Sequence, residues 1–347
     1  MSSSSRTITR EPASRLAKAD DERTWVAIYG TPVSHSVAPR LFDTIFPAIG
    51  LPRFKYTTVD CKSLLVEGNE WEVAKSQSNF LGSCITMPLK LQAMDKVDEL
   101  TPQAAVLGSV NTTYIRENAD GTVSHIGTNL DTKGVEHSLL SALLGQPSPF
   151  AADAPRSFAP GVAAALMIGG GGATRAAIFA MNELGLSPIF LINRDDEETA
   201  SIVAQFPDLD LRPLTSVDQA QSELKSLEEK GIRLAAGTGA IPSIEPQTDA
   251  EKNVYEVAKA VFEWEYKPEG VQTKAGSLAL PPKPTFLEMA YKPRMTIMRG
   301  IAEERGWKTI CGVEVVLEGC FEQCKLWTGI EVPFAVREEG RKILRAE

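Results

Sequence analysis

Residues 162–198 read VAAALMIGGGGATRAAIFAMNELGLSPIFLINRDDEE. A short unbroken apolar run leads into four glycines, then a stretch with helical spacing, then a second apolar run ending at Asn193 and Arg194. Runs of this length predict strands buried on both faces, and the segment between them predicts a helix. The three pieces make one β-α-β unit, with the glycines at the strand-to-helix turn. Glycine lets the backbone turn tightly there and lie close to a pyrophosphate, whose charge the helix N-terminus favours. Gly169, Gly170, Gly171, Gly172 and Ala173 are therefore the expected phosphate contacts. The end of the second strand places Asn193, Arg194 and Asp195 where an adenosine ribose is expected. An acidic residue accepts hydrogen bonds from ribose hydroxyls, whereas an arginine welcomes a 2′-phosphate. The run Asp195, Asp196, Glu197 and Glu198 tips this reading to NAD, with NADP still open. The same run also suits an ordinary helix start.

On the N-terminal side, WVAIYG (25–30), RFKYTTVD (53–60) and NFLGSCITMP (79–88) predict strands, with a helix over 38–50. LKLQAMDKVDEL (89–100) predicts another helix, and AAVLGSVNTTYIREN (104–118) with VSHIGTNL (123–130) predicts a hairpin. After a helix over 132–145, QPSPFAADAPRSFAPG (146–161) reads as a surface insertion, and residues 265–283 as a second one. TFLEMAY (285–291) is a further strand, followed by helices near 294–305 and 312–327.

The 347 residues are 43% hydrophobic and 23% charged, ordinary for a globular chain of two domains. A net charge of −9 supplies no basic field for nucleic acid. No stretch approaches the ~20 apolar residues of a membrane span. Five cysteines without a CxxC pair argue for reduced thiols rather than disulfides or zinc, so no metal is expected. Residues 1–24 are rich in serine and arginine but carry Glu11, Asp20, Asp21 and Glu22, and read as a disordered cytosolic tail. A cytoplasmic location is the expectation. No GxSxG elbow or HExxH spacing supports a hydrolase.

Three segments put polar groups at strand ends: GSCITMPLK (82–90), LGSVNTT (107–113) and GTNLDTKG (127–134). Singly, Lys90 reads as a solvated helix residue and Asp131 as a helix cap. In order, together with SHSVAP (34–39), the glycine turn, NR (193–194), YKPRMT (291–296) and GCFEQCKLWTG (319–329), they resemble the shikimate and quinate dehydrogenases. The resemblance extends over roughly residues 25–335. It implies an α/β protein of two domains, an N-terminal α/β substrate domain plus a Rossmann-type dinucleotide-binding domain. Their expected bounds are 25–133 with 308–347, and 134–307. It implies an NAD(P)-dependent alcohol dehydrogenase acting on a small cyclic hydroxy acid, without nucleic-acid or membrane partners and compatible with a homodimer. Lys90 would take the substrate's hydroxyl proton, with Asp131 holding hydroxyl and lysine in register. A lysine in that role must be partly desolvated, since a free ammonium titrates near ~10.4. Ser34, Ser36, Thr86, Asn111, Tyr291 and Gln323 would contact the substrate.

Four positions depart from the family pattern. Ala38 replaces the second serine of HSxSP, Phe42-Asp43 stand for His-Asn, Cys84 replaces the asparagine of NVT, and Gly319 replaces a glutamine of the last helix. Either the chain still handles quinate or shikimate, or a larger or less hydroxylated ring enters the space at Gly319; Gln323, one turn on, is placed to compensate. A non-catalytic metabolite sensor is the competing class, against which the intact Lys90, Asp131 and glycine turn weigh.

Overall fold

The computed structural model describes residues 24–34, 36–265 and 274–345. The tail expected before Thr24 and the middle of the 265–283 insertion lie outside the described residues. The chain divides into two compact units, Met1–Leu130 with Cys320–Glu347, and Asp131–Gly319. The divisions fall at 130/131 and 319/320, where the sequence suggests 133/134 and 307/308.

The first unit runs β1 (Trp25–Gly30), α1 (Ala38–Ala48), β2 (Lys55–Asp60), α2 (Glu70–Lys75), β3 (Phe80–Ile85), β4 (Glu99–Leu100), α3 (Pro102–Leu107), β5 (Thr112–Glu117) and β6 (Val123–Thr128). Its strands line up as β2-β1-β3-β5-β6-β4. β1 is parallel to β2 and β3, while β5 is antiparallel to β3 and β6. Two expectations are corrected here. Residues 89–100 form a 3-10 turn at Gln92–Asp95 and the short strand β4 rather than a helix, because Asp98 is drawn to the sheet: its N–H donates to the His125 carbonyl (2.9 Å) and its carboxylate accepts the His125 N–H (2.6 Å). The stretch before Gly108 is the helix α3, not strand: Thr101 caps its start, Pro102 opens it and Gly108 ends it at φ 64°.

The second unit runs α4 (Asp131–Leu144), β7 (Ala163–Ile168), α5 (Gly172–Glu183), β8 (Ile189–Ile192), α6 (Asp196–Gln205), β9 (Leu211–Pro213), α7 (Val217–Glu229), β10 (Arg233–Gly239), α8 (Asp249–Phe262), β11 (Thr285–Glu288), α9 (Ile297–Glu304), β12 (Lys308–Cys311) and the start of α10 (Val313–Thr328). The sheet order β12-β11-β10-β7-β8-β9, with every pair parallel, is the doubly wound dinucleotide-binding topology. β7 and β8 are buried at every residue, as the continuous apolar runs required. Leu166, Ile168, Phe190, Phe286, Val261 and Trp307 share the core between this sheet and its helices.

The 146–161 insertion has an exposed tip but is not simply a surface loop. Ser148 is fully buried and donates to the Glu318 carboxylate at 2.6–2.7 Å, and Phe158 is buried with its N–H on the Leu184 carbonyl. Both ends are thus tied into the second unit.

The end of α10 and the final helix α11 (Phe334–Arg345) belong to the first unit. Trp327 Nε1 donates to the Thr113 carbonyl at 2.9 Å. Gly82 permits this approach: at φ 152°, a Cβ there would stand 2.1 Å from the Thr113 oxygen and 2.8 Å from Trp327 Nε1. Arg337, fully buried, donates to the Val332 carbonyl and Glu331 and lies over the Phe321 ring.

Candidate active site

The glycine turn leaves β7 at Gly169, whose N–H donates to the Ile192 carbonyl and whose φ of 125° suits glycine. Gly171 occupies the N-cap of α5 with no side chain capping it, and a Cβ at Gly171 or Gly172 would meet nothing within 4 Å. The first-turn N–H groups of a helix need partners. Here the Thr174 N–H donates to the Gly171 carbonyl at 3.1 Å, no side chain caps the others, and the space beside Gly171 and Gly172 is open, which suits an approaching phosphate. A cleft of about 380 Å³ opens beside this turn, lined by Gly170, Gly171, Asn193 and Arg194 and by the chain following β10. That volume lies within the ~300–1,000 Å³ usual for small-molecule sites. Gly169, Gly172, Ala173 and Asp195 are not among its lining residues.

The expected ribose acceptor, Asp195, is otherwise engaged: its carboxylate caps α6 by accepting the Glu198 N–H at 2.9 Å. The acid at the turn is instead Glu198, one helical turn on, which accepts from Asn193 Nδ2 at 3.1 Å. It packs so closely over Gly170 that a Cβ there would stand 1.9 Å from Glu198 Oε2. Arg194 donates to Glu251 at the start of α8. Glu198 enters the sequence reading only within the acidic run 195–198 and Glu251 not at all, although D-x-x-E at 195–198 and T-x-x-E at 248–251 are helix-start patterns that place such acids.

In the first unit the polar strand ends form one connected network. The Lys90 carbonyl accepts the Val110 N–H at 3.0 Å, tying the residue after β3's turn to the segment entering β5. Next to Val110, buried Asn111 accepts through Oδ1 from the Leu130 N–H (2.7 Å) and from Thr112 Oγ1 (2.9 Å). Thr112 Oγ1 in turn accepts from Gln323 Nε2 at 3.0 Å. Gln323, expected at the substrate, is thus buried and spends a donor on Thr112. Leu130 is followed directly by Asp131, the first residue of α4. Thr86 packs its methyl where Gly30 has no Cβ, and its N–H donates to the Tyr29 carbonyl. Ser34 is exposed. Ser36 Oγ accepts the Ala38 N–H at 3.4 Å, so the surviving hydroxyl sits against the start of α1.

The departures sit in different local surroundings. Phe42 is fully buried and stacks on Tyr56, ring centroids 4.6 Å apart, so this position is core. The Tyr56 phenol is pushed well above its ordinary range, first by burial and then by the neighbouring Cys84 and Cys320 thiols. Gly319 lies inside α10 with open space where a side chain would project. Gly319→Ala is expected to stabilise the fold by about 0.5–1 kcal/mol, the usual cost of a mid-helix glycine. Thermal or denaturant unfolding measures it.

Tyr291 is half-buried in the segment between β11 and α9. That segment is organised by Glu288, a carboxylate at the end of β11 that is fully buried. Glu288 accepts the Ala290 N–H at 3.3 Å and the Thr296 hydroxyl at 3.2 Å, and Thr296 caps α9. Burial pushes its pKa up to about 7. Nothing in the spacing of TFLEMAY distinguishes this glutamate from a surface residue.

Among the described residues no group of His, Cys, Asp and Glu is arranged to hold a metal, and no helix is long and apolar enough to cross a membrane.

Residues 28–113 match the shikimate dehydrogenase substrate binding domain. The chain is similar over 92% of its length to the dehydroquinate dehydratase and shikimate dehydrogenase from S. pombe, at 28% identity and a TM-score of 0.69. The match covers 53% of that protein, so this chain spans about half its length. A shikimate 5-dehydrogenase from Thermus thermophilus, solved with NADP(H) and shikimate, matches at 22% identity and TM-score 0.64, covering 93% of this chain and 100% of that one. A quinate dehydrogenase from Corynebacterium glutamicum, solved with NAD, matches at 16% identity and TM-score 0.65, covering 93% and 99%. The resemblance read from the sequence motifs is borne out over residues 28–113 and in the fold.

Proposed function

We propose that this chain is an NAD(P)-dependent alcohol dehydrogenase that interconverts a ring hydroxyl and ketone of a cyclic polyhydroxy acid of the quinate or shikimate type. The observation that carries the reading is the uncapped glycine turn of α5, opening on a cleft in a doubly wound sheet. The motifs CITMPLK and GTNLDTKG, which carry Lys90 and Asp131, support it from the sequence.

In this reading Gly170, Gly171 and the first turn of α5 hold the pyrophosphate of a nicotinamide dinucleotide, while Asn193, Arg194 and Glu198 border its adenosine half. The bound dinucleotide supplies the hydride acceptor or donor. Lys90, as the neutral amine, takes the hydroxyl proton in the oxidative direction and returns it in the reductive one. Asp131 orients the hydroxyl and the amine. Asn111 and Thr112, fixed by Gln323, position the segment leading to Asp131, so Gln323 acts here as a positioning residue. Thr86 and Tyr291 contact the ring, and Ser36 the carboxylate.

The test is reduction of NAD⁺ and of NADP⁺ by the purified protein with quinate and with shikimate. Turnover with either acid supports the reading; no turnover with either acid overturns the substrate class. Gly319→Gln with Ala38→Ser is expected to raise kcat/KM for shikimate roughly tenfold, about the worth of restored buried hydrogen bonds. A fall would show that the native substrate uses the space at Gly319.

A further inference from the structure

Among the described residues lining the cleft at the glycine turn, one cation, Arg194, is set against three carboxylates, Glu198, Glu245 and Glu251. The guanidinium is already engaged, Nη1 donating to Glu251 Oε1. Glu251 is itself held in place. Its Oε2 accepts the N–H groups of Gln247 (2.9 Å) and Thr248 (3.1 Å), and its own N–H donates to Thr248 Oγ1 at 3.2 Å. This reciprocal capping box starts α8. The two backbone donors, and after them Arg194, hold the Glu251 carboxyl down to about 2, so it is charged at any working pH. An exposed ion pair between two mobile side chains contributes little. Here the carboxylate is pinned by the helix start, and only Arg194 has freedom to lose.

We infer that Glu251 determines cofactor specificity in this cleft by holding Arg194 in an ion pair, so selecting a dinucleotide with a free 2′-hydroxyl over one with a 2′-phosphate. This rests on the dinucleotide reading proposed above. A 2′-phosphate adds between one and two negative charges near neutral pH. To reach Arg194 it has to displace Glu251, and then it still faces the released carboxylate together with Glu198 and Glu245. A ribose hydroxyl meets the opposite situation, because it is a donor and carboxylates accept. Arginine after the second strand, taken alone, points to the phosphorylated cofactor. The glutamate 57 residues further on reverses its meaning.

The test is calorimetric binding to the full-length protein of NAD⁺, NADP⁺ and two fragment probes, 5′-AMP and 2′,5′-ADP. The wild type is expected to prefer NAD⁺ over NADP⁺ by about tenfold or more. Glu251→Gln keeps an amide oxygen for the two backbone donors but removes the charge. It is expected to narrow that ratio by roughly tenfold, through tighter NADP⁺ and 2′,5′-ADP, as a freed charge-assisted contact implies. Arg194→Gln alone is expected to leave the wild-type ratio within about threefold, and in the Glu251→Gln background to abolish the gain. The role of Glu251 is overturned by an unchanged ratio in Glu251→Gln. It is equally overturned by Arg194→Gln alone weakening NADP⁺ about tenfold, an arm that does not depend on the Glu251 variant folding. If the wild type binds NAD⁺ and these outcomes fail, only the role of Glu251 falls. If the wild type binds none of the four probes, the dinucleotide reading falls with it.

Discussion

Lys90→Ala is expected to lower kcat/KM by about 10²–10⁴-fold, the usual contribution of a positioned general acid or base, with dinucleotide affinity unchanged. The separation follows from where Lys90 sits. It lies in the first unit, and its backbone carbonyl is held by the Val110 N–H, so truncating the side chain leaves that bond intact. The glycine turn belongs wholly to the second unit. Steady-state rates with the active acid, beside calorimetric titration with NAD⁺, read both quantities. Lys90→Ala with full activity would remove the lysine from the proton transfer, and loss of NAD⁺ binding would make its role structural.

Glu288→Gln is expected to stabilise the protein at neutral and higher pH and to do little near pH 5. Burial raises the folded-state pKa of Glu288 from about 4.5 to about 7. The folded chain therefore keeps a proton on this group that the unfolded chain has released. Its contribution to stability is complete below the unfolded value, declines as pH rises between the two values, and is lost above about 7. The loss amounts to about 3 kcal/mol in order of magnitude. Glutamine stays neutral throughout and retains an oxygen for the Ala290 N–H or the Thr296 hydroxyl. Denaturant unfolding from pH 5 to pH 8 should show the two proteins converging at the acid end and the variant ahead at the basic end. A difference independent of pH would mean that the carboxyl does not titrate in the folded state. The same variant bears on function, because Glu288 orders the segment that carries Tyr291 and caps α9 through Thr296.

Much of the fold was legible because its strands are simple. β7 and β8 are short, wholly apolar and separated by a helix that glycines introduce, a combination with few alternative structures. The first unit was less so. Residues 89–100 carry helical spacing, yet pairing of Asp98 with the backbone of His125 overrides it, and such a contact across 27 positions has no local signal. Helix α3 was hidden because its capping residues, Thr101 and Pro102, fall between the expected helix and hairpin, and the apolar run after them was read as strand.

The site was legible in its residue types more than in their partners. Asn111, Lys90 and Gln323 stand in or beside one network, but that Gln323 serves Thr112 depends on how α10 packs against β5. Asp195, expected at the ribose because it follows a strand, also caps a helix through Oδ1, and Glu198 one turn on accepts from Asn193. Phe42, one of the four departures, is a core residue stacked on Tyr56. Gly319 has no such explanation in packing, and a Cβ there would meet nothing within 4 Å.

Hydride transfer itself is open to direct observation. The purified protein is given NAD⁺ and quinate or shikimate carrying deuterium on the carbon that bears the reacting hydroxyl. A dehydrogenase transfers that deuterium to the nicotinamide ring, where mass spectrometry or NMR finds it in the reduced cofactor, and Lys90→Ala slows its appearance. Binding of both molecules with no deuterium leaving the acid would contradict the dehydrogenase reading and mark the protein as a metabolite sensor.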